Sequence, residues 1–143
     1  MSCIPYGIPD ALDEVINAQE GYVAVTGTLR LKEDDLPWPD PDTMIAPDLT
    51  KVKARINGKA LSRAGFKNKF KTDLTLEVAC LGQSCARAKD KSRVLVFLKQ
   101  TQQGYTLGLN PCGNHLFFEP TKADLRQVEQ CYLKGDCPKP ELR

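Results

Sequence analysis

Apolar and polar positions alternate differently along this chain, and the differences predict its elements. In Ser92 to Lys99 the residues Val94, Leu95, Val96, Phe97 and Leu98 form an unbroken apolar block. A strand of that kind is covered on both faces and belongs at the centre of the core. Gln103-Gly104 then gives a turn, Tyr105 to Leu109 a second strand, and Pro111-Cys112-Gly113 a stop, so the block reads as the first arm of a central hairpin.

Upstream, Tyr22 to Leu31 is rich in β-branched and aromatic residues, with Gly27 reading as a bulge. Val52, Ala54 and Ile56 alternate with Lys51, Lys53 and Arg55, the period of a half-buried strand with a basic outer face. Ala60 to Phe70 reads as a loop or hairpin with Phe66 and Phe70 turned inward. Leu74, Leu76, Val78 and Cys80 share one face of a further strand, and His115 to Glu119 forms a short one.

Two segments carry a helical period. Asp10 to Gln19 is expected to be a helix capped by Asp10, with Leu12, Val15 and Ile16 on one face. The second begins at Pro120-Thr121, where Thr121 and Asp124 fit a capping box and Leu125, Val128 and Tyr132 share a face near Cys131. Pro5 and Pro9 predict an extended course for Cys3 to Gly7, and the tail from about residue 134 reads as irregular. Five or six strands at short intervals favour a small closed barrel or a sandwich, in a mainly β fold of one domain over residues 1–143.

Charge adds a local asymmetry that the net value of +2 conceals. Residues 33–48 carry Glu33, Asp34, Asp35, Asp40, Asp42 and Asp48 among four prolines, a composition that predicts a mobile acidic loop. Its Trp38 is expected to tuck back onto the fold, the alternative being a contact offered to a partner. Residues 51–71 then hold Lys51, Lys53, Arg55, Lys59, Arg63, Lys67, Lys69 and Lys71 without one acidic residue. Lysines and arginines about 7 Å apart along a strand suit an extended polyanion; a solvated basic face is the competing reading. No stretch reaches the length of a membrane span. The chain is expected to be a mature form with its leader removed, Met1-Ser2 being a start added to it.

Six cysteines at 3, 80, 85, 112, 131 and 137 point to disulfides and a secreted protein. Fifteen pairings are open. A metal site is disfavoured because Cys80-x4-Cys85 and Cys131-x5-Cys137 lack the usual spacing and His115 is the one histidine. A nucleophilic cysteine beside His115 would require a reduced thiol among five others. No hydrolase, phosphate-loop or dinucleotide motif is present, so the expectation is a non-enzymatic protein needing no cofactor or metal. An oxidising compartment turns the polyanion from nucleic acid to a glycosaminoglycan. Phe97, Phe117 and Phe118, read as core, would then leave no stacking face for single-stranded nucleic acid.

Several of these residues together carry a family resemblance: Cys85, the strand Arg93 to Leu98, Gly104-Tyr105-Thr106-Leu107, Cys112, Phe117-Phe118, Pro120 and Cys131, with Tyr22 to Leu29 and Cys3 upstream. In them the chain resembles the netrin-like family, which includes the amino-terminal domains of tissue inhibitors of metalloproteinases and of agrin. The resemblance implies a five-stranded OB-like barrel with flanking helices, one of them C-terminal, secreted and disulfide-linked. It also implies that Cys3 pairs with Cys85 or Cys112. Two functions follow from it. One is a secreted module that binds an extracellular matrix protein or a sulfated polysaccharide, with the eight basic residues as contacts. The other is metalloproteinase inhibition through Cys3, Ile4 and Pro5. In that branch of the family the amino-terminal cysteine chelates the target's zinc, within a Cys-x-Cys start. Here Ile4-Pro5 follow Cys3, and Met1-Ser2, if native, leave it no free amine.

Overall fold

The computed structural model describes residues 3–113 and 115–139. Seven strands are present among them: β1 (Tyr22–Leu31), β2 (Leu49–Ser62), β3 (Gly65–Leu81), β4 (Ser84–Cys85), β5 (Ser92–Thr101), β6 (Gly104–Leu109) and β7 (Leu116–Phe118). Two helices, α1 (Ile8–Asn17) and α2 (Lys122–Lys134), flank them. The strands run β1-β2-β3-β6-β5, and β5 pairs again with β1, so five of them close into a ring. A ring of this kind leaves few unpaired strand edges.

The apolar block of β5 is what closes the ring. Along one edge it pairs with β1 from Ser92 to Lys99. Its other edge is shared, β7 taking Val94 to Val96 and β6 taking Lys99 to Thr101. The expected hairpin is therefore real but only three residue pairs long. β6 then leaves β5 and runs parallel to β3, from Leu74 opposite Tyr105 to Val78 opposite Leu109.

Alternation along β5 feeds two cores. Val94, Val96 and Leu98 point into the ring with Val25, Leu29 and Ile56. Leu95 and Phe97 point outward beneath the helices, against Leu12, Ala11 and Val128. The five residues from Val94 to Leu98 are all 0% exposed. Burying a side chain of this size is worth about 1.5–3 kcal/mol each, so this strand supplies a disproportionate share of the hydrophobic stabilisation. Leu36, Ala86 and Ala88 belong to the inner cluster and close one end of the ring.

Several expectations are corrected here. α1 begins at Ile8 rather than Asp10, because Pro9 is tolerated in a helix's first turn, where no intrahelical donor is needed. Asp10 is inside the helix, and its carboxylate accepts the Gly7 N–H at 2.8 Å. Ile8, Ala11, Leu12 and Val15 form the buried stripe, and Ile16 is exposed. Phe118 is 48% exposed instead of core, because β7 ends there. Residues 33–48 are folded rather than merely loose: a 3-10 turn at Glu33–Asp35 leads to buried Leu36, and Asp40 accepts the N–H groups of Asp42 and Thr43. Those bonds hold the Asp40 carboxyl below its ordinary range. Trp38 stays 67% exposed, and the Arg87 guanidinium lies 3.8 Å above its ring.

Other expectations match. α2 has its capping box, Thr121 accepting from Asp124 N–H at 3.0 Å and Asp124 from Thr121 N–H at 2.9 Å. The hairpin at Ala60 to Phe70 forms, with Phe66 against the helices and Phe70 against the inner core.

All six cysteines are paired, as Cys3–Cys112, Cys80–Cys85 and Cys131–Cys137. The separations are 109, 5 and 6 residues. On the loop-entropy model the first restricts the unfolded chain by about 5 kcal/mol and the local ones by about 2 kcal/mol each. The long bridge ties the N-terminal segment to the stop after β6, and Cys131–Cys137 ties the tail to α2.

Gly27 is no bulge. The β1–β2 register runs through it without a break and sets it opposite Gly58. A Cβ on Gly27 would lie 2.6 Å from the Gly58 Cα, and one on Gly58 would lie 2.5 Å from the Gly27 Cα. The strands approach here only because both side chains are absent. Gly27→Ala or Gly58→Ala is expected to cost about 3 kcal/mol, while Gly108→Ala, whose Cβ meets nothing within 4 Å, stays within about 0.5 kcal/mol of the parent. Denaturant titration of the three variants checks this.

A second outcome concerns Tyr132. Its hydroxyl is buried without a hydrogen-bond partner among the described residues, and burial pushes its pKa up to about 12. Burial disfavours the ionised form, so the raised folded pKa leaves stability unchanged below pH 10 and lowers it as pH rises toward 12. Tyr132→Phe should raise unfolding stability by about 1 kcal/mol at neutral pH and flatten the alkaline limb; an unchanged pH profile would show that Tyr132 is not the group responsible.

Candidate functional site

The basic tract folds into the β2–β3 hairpin, and alternation decides where each charge goes. Val52, Ala54, Ile56, Leu74, Leu76 and Val78 fill the ring, so Lys51, Lys53, Arg55, Asn57 and Lys59 of β2 and Lys69, Lys71, Asp73, Thr75 and Glu77 of β3 share the outer face. Register then divides that face in two. Towards β2's start, Lys51 stands opposite Glu77 and Lys53 opposite Thr75. Arg55 stands opposite Asp73 and is bonded to it, Nε to Oδ1, at 2.9 Å. Both partners are exposed, which makes the pair worth little to the fold, yet it offsets the positive charge locally.

The half nearer the turn is different. Asn57 faces Lys71 and Lys59 faces Lys69, two lysines directly opposite each other. Such pairs sit about 5 Å apart at Cβ, and Lys71 is one alternation, about 7 Å, further along β3. Lys59, Lys69 and Lys71 are exposed and have no carboxylate within 4.0 Å among the described residues. Lys67 follows the register shift at Ala60/Leu61 and is exposed. Arg63 lies in the turn, beside a hollow of about 300 Å³ that it shares with Arg126, Glu129 and Lys134 of α2. The eight residues thus form one concentrated cluster of three lysines, a stretch in which Arg55 is paired with Asp73 and Lys51 faces Glu77, and a turn, rather than one even stripe.

Other strands add cations that no linear tract reveals. In successive registers Lys71 faces Asn57, Asn57 faces Thr28 and Thr28 faces Arg93. One row of the outer face therefore ends on Arg93, which is paired with Glu119 at 3.1 Å. In the next row Arg30 stands opposite Arg55 and reaches Asp90 at 3.6 Å. Arg30 precedes the tract by 21 positions and Arg93 follows it by 22, so only the sheet register finds them.

Elsewhere a cleft of about 930 Å³ lies between the N-terminal segment, α1 and the outer face of β3 and β6. Two of its basic groups are engaged: His115 Nε2 is 3.0 Å from Glu14 and Lys99 is 3.5 Å from Glu20. With Lys99 near and backbone bonding, the Glu20 carboxyl is held below its ordinary range, the backbone bond contributing most. Cys3, Ile4 and Pro5 border this cleft and are exposed, Cys3 in its bridge to Cys112. No cysteine is left as a thiol to act with His115. Among the described residues no group of three or more His, Cys, Asp and Glu could hold a metal ion, and no helix is long and apolar enough to cross a membrane.

Comparison with protein-family models, curated proteins and solved structures gives no match for this chain.

Like charges placed directly across a strand pair destabilise it. Lys69→Glu replaces the Lys59–Lys69 repulsion with an attraction and should stabilise the fold by about 0.5–1 kcal/mol at low salt, the gain shrinking at 1 M salt as the charges are screened. Chemical denaturation at two salt concentrations measures both, and no gain at low salt would mean that the two ammonium groups avoid each other.

Proposed function

We propose that this chain is a secreted, non-enzymatic, netrin-like module with an OB-like barrel, and that its outer face binds a sulfated polysaccharide of the glycosaminoglycan class, alone or as part of an extracellular matrix protein. The observation that carries the reading is the Lys59–Lys69–Lys71 cluster. A fold gains nothing from two opposed lysines with no carboxylate nearby, and residues that work against stability without a structural return are expected at functional positions. A bound polyanion supplies the missing counter-charge.

Three disulfides support the compartment, since such bonds persist in oxidising surroundings. They also favour an extracellular polyanion over nucleic acid. Among the eight basic candidates, Lys59, Lys69 and Lys71 are the principal contacts, with Lys67 and Arg63 beside them. Arg55 is committed to Asp73, and Lys51 faces Glu77.

The test separates affinity from charge. On heparin resin the native protein should elute at higher salt than on a cation exchanger of matched charge. Replacing Lys59, Lys69 and Lys71 together by glutamine should weaken heparin binding at least tenfold, about 1.4 kcal/mol. Replacing Lys51, Lys53 and Arg55 should have the smaller effect. Equal losses from the two triple variants, or parallel behaviour on both resins, would reduce the surface to bulk charge and defeat the reading.

A further inference from the structure

The closed end of the ring carries a second feature that the basic tract does not explain. A hollow of about 430 Å³ opens between the segment that precedes β5 and the end of β7. Its apolar part is Ala88 and the ring of Phe118, which the short β7 leaves half uncovered. Its polar rim is Arg87, Lys89 and Lys91. Lys89 and Lys91 are exposed, with no carboxylate within 4.0 Å among the described residues.

The carboxylates near this hollow are engaged elsewhere. Glu119 is paired with Arg93 at 3.1 Å. Asp90 accepts the Leu31 N–H at 3.0 Å and reaches Arg30. Glu33 accepts the Asp90 N–H at 2.9 Å. Arg87 is anchored rather than free, donating to the Pro37 carbonyl at 2.7 Å and stacking on Trp38. The hollow is therefore cationic with an aromatic wall.

Backbone geometry singles out the same place. Three non-glycine residues among those described have a left-handed φ, and two of them, Lys91 at 59° and Glu119 at 50°, line the hollow. Such conformations are held only where the surroundings impose them, and they cluster at binding sites. Here the holding bonds are Lys91 N–H to the Leu29 carbonyl at 2.8 Å and Glu119 N–H to the Arg93 carbonyl at 2.9 Å. Together they hold the backbone at two points of the hollow's rim.

An exposed aromatic face with two unpaired ammonium groups beside it matches one ligand chemistry: a ring with an apolar C–H face that carries an anion. A pyranose with a sulfate or carboxylate has both. The aromatic face is the electron-rich side of the ring, which attracts the slightly positive C–H groups of a sugar. The hollow's volume is within the range of about 300–1,000 Å³ usual for small-ligand sites. Position agrees as well. Arg93, which is paired with Glu119 of the hollow's lining, ends the register row that starts at Lys71, three strand spacings or about 14 Å away.

We infer that this hollow binds one anionic sugar residue of a sulfated polysaccharide, its ring against Phe118 and its sulfate or carboxylate between Lys89 and Lys91. The inference rests on the polysaccharide reading but concerns a site outside the basic tract.

The experiment is an NMR titration of the whole protein with a fully sulfated heparin tetrasaccharide, with an aspartate-rich peptide of the same charge run alongside. Shifts centred on Ser92, Lys91 and Phe118 with the tetrasaccharide are expected. Phe118→Ala and the double change Lys89→Gln with Lys91→Gln should each weaken tetrasaccharide binding at least tenfold, whereas Phe118→Tyr keeps it. Thermal melts of the variants establish that they are folded, which the exposure of all three side chains favours. Shifts confined to Lys59, Lys69 and Lys71, unaffected by Phe118→Ala, would overturn this site and leave the polysaccharide reading standing. No shift anywhere would overturn both. Equal binding of the peptide at Phe118 would overturn the assignment to a sugar.

Discussion

Residues 94–98 bury both faces of one strand, and the remaining elements are placed by that burial. Val94, Val96 and Leu98 need a closed ring around them, while Leu95 and Phe97 need a cover on the outside, which α1 and α2 provide. Because β5 is the strand that joins β1, β6 and β7, its apolar content and its position in the topology are the same fact. An interior polar residue there would have to find a partner in one of two packed cores, at a cost of several kcal/mol. Hence residues 94–98 are given over to the two cores.

Those surfaces divide according to what covers them. Over Ala24, Leu95 and Phe97 the outer face is roofed by the helices. Across the parts of β1, β2 and β3 away from the helices it is open, and the cations accumulate there. The close approach at Gly27 and Gly58 lets β1 and β2 pair tightly enough to bring Arg30 and Thr28 alongside the hairpin's charges. The β1–β2 contact thus also sets the spacing of the basic face.

The covalent bonds reinforce margins rather than the centre. Cys3–Cys112 holds a segment with no regular structure, Cys80–Cys85 closes the turn after β3, and Cys131–Cys137 fastens the tail. Each ties down a segment outside the five-stranded ring. The opposed lysines run the other way, lowering the stability of a hairpin that is otherwise well paired. Stability concentrated in β5 offsets the cost of a like-charged hairpin.

Periodicity by itself determined much. The two-sided block at Val94 to Leu98, the half-buried alternations of β2 and β3, the Thr121 capping box and the disulfide count are local properties, and local sequence contains them. Even the even cysteine total carried the compartment argument. Tertiary structure decided the rest, because register joins residues that are far apart in the chain. It alone pairs Cys3 with Cys112, turns β6 parallel to β3, and sets Gly27 against Gly58 where a bulge was expected. It leaves Phe118 half exposed, since whether an aromatic at a strand's end is covered depends on what other elements bring over it, and here it borders an open hollow. The same register sets Arg55 against Asp73 and Lys51 against Glu77, puts Lys59 against Lys69, and adds Arg30 and Arg93 to their face. Which charges meet a carboxylate is a property of opposed strands, and no single strand's sequence contains it.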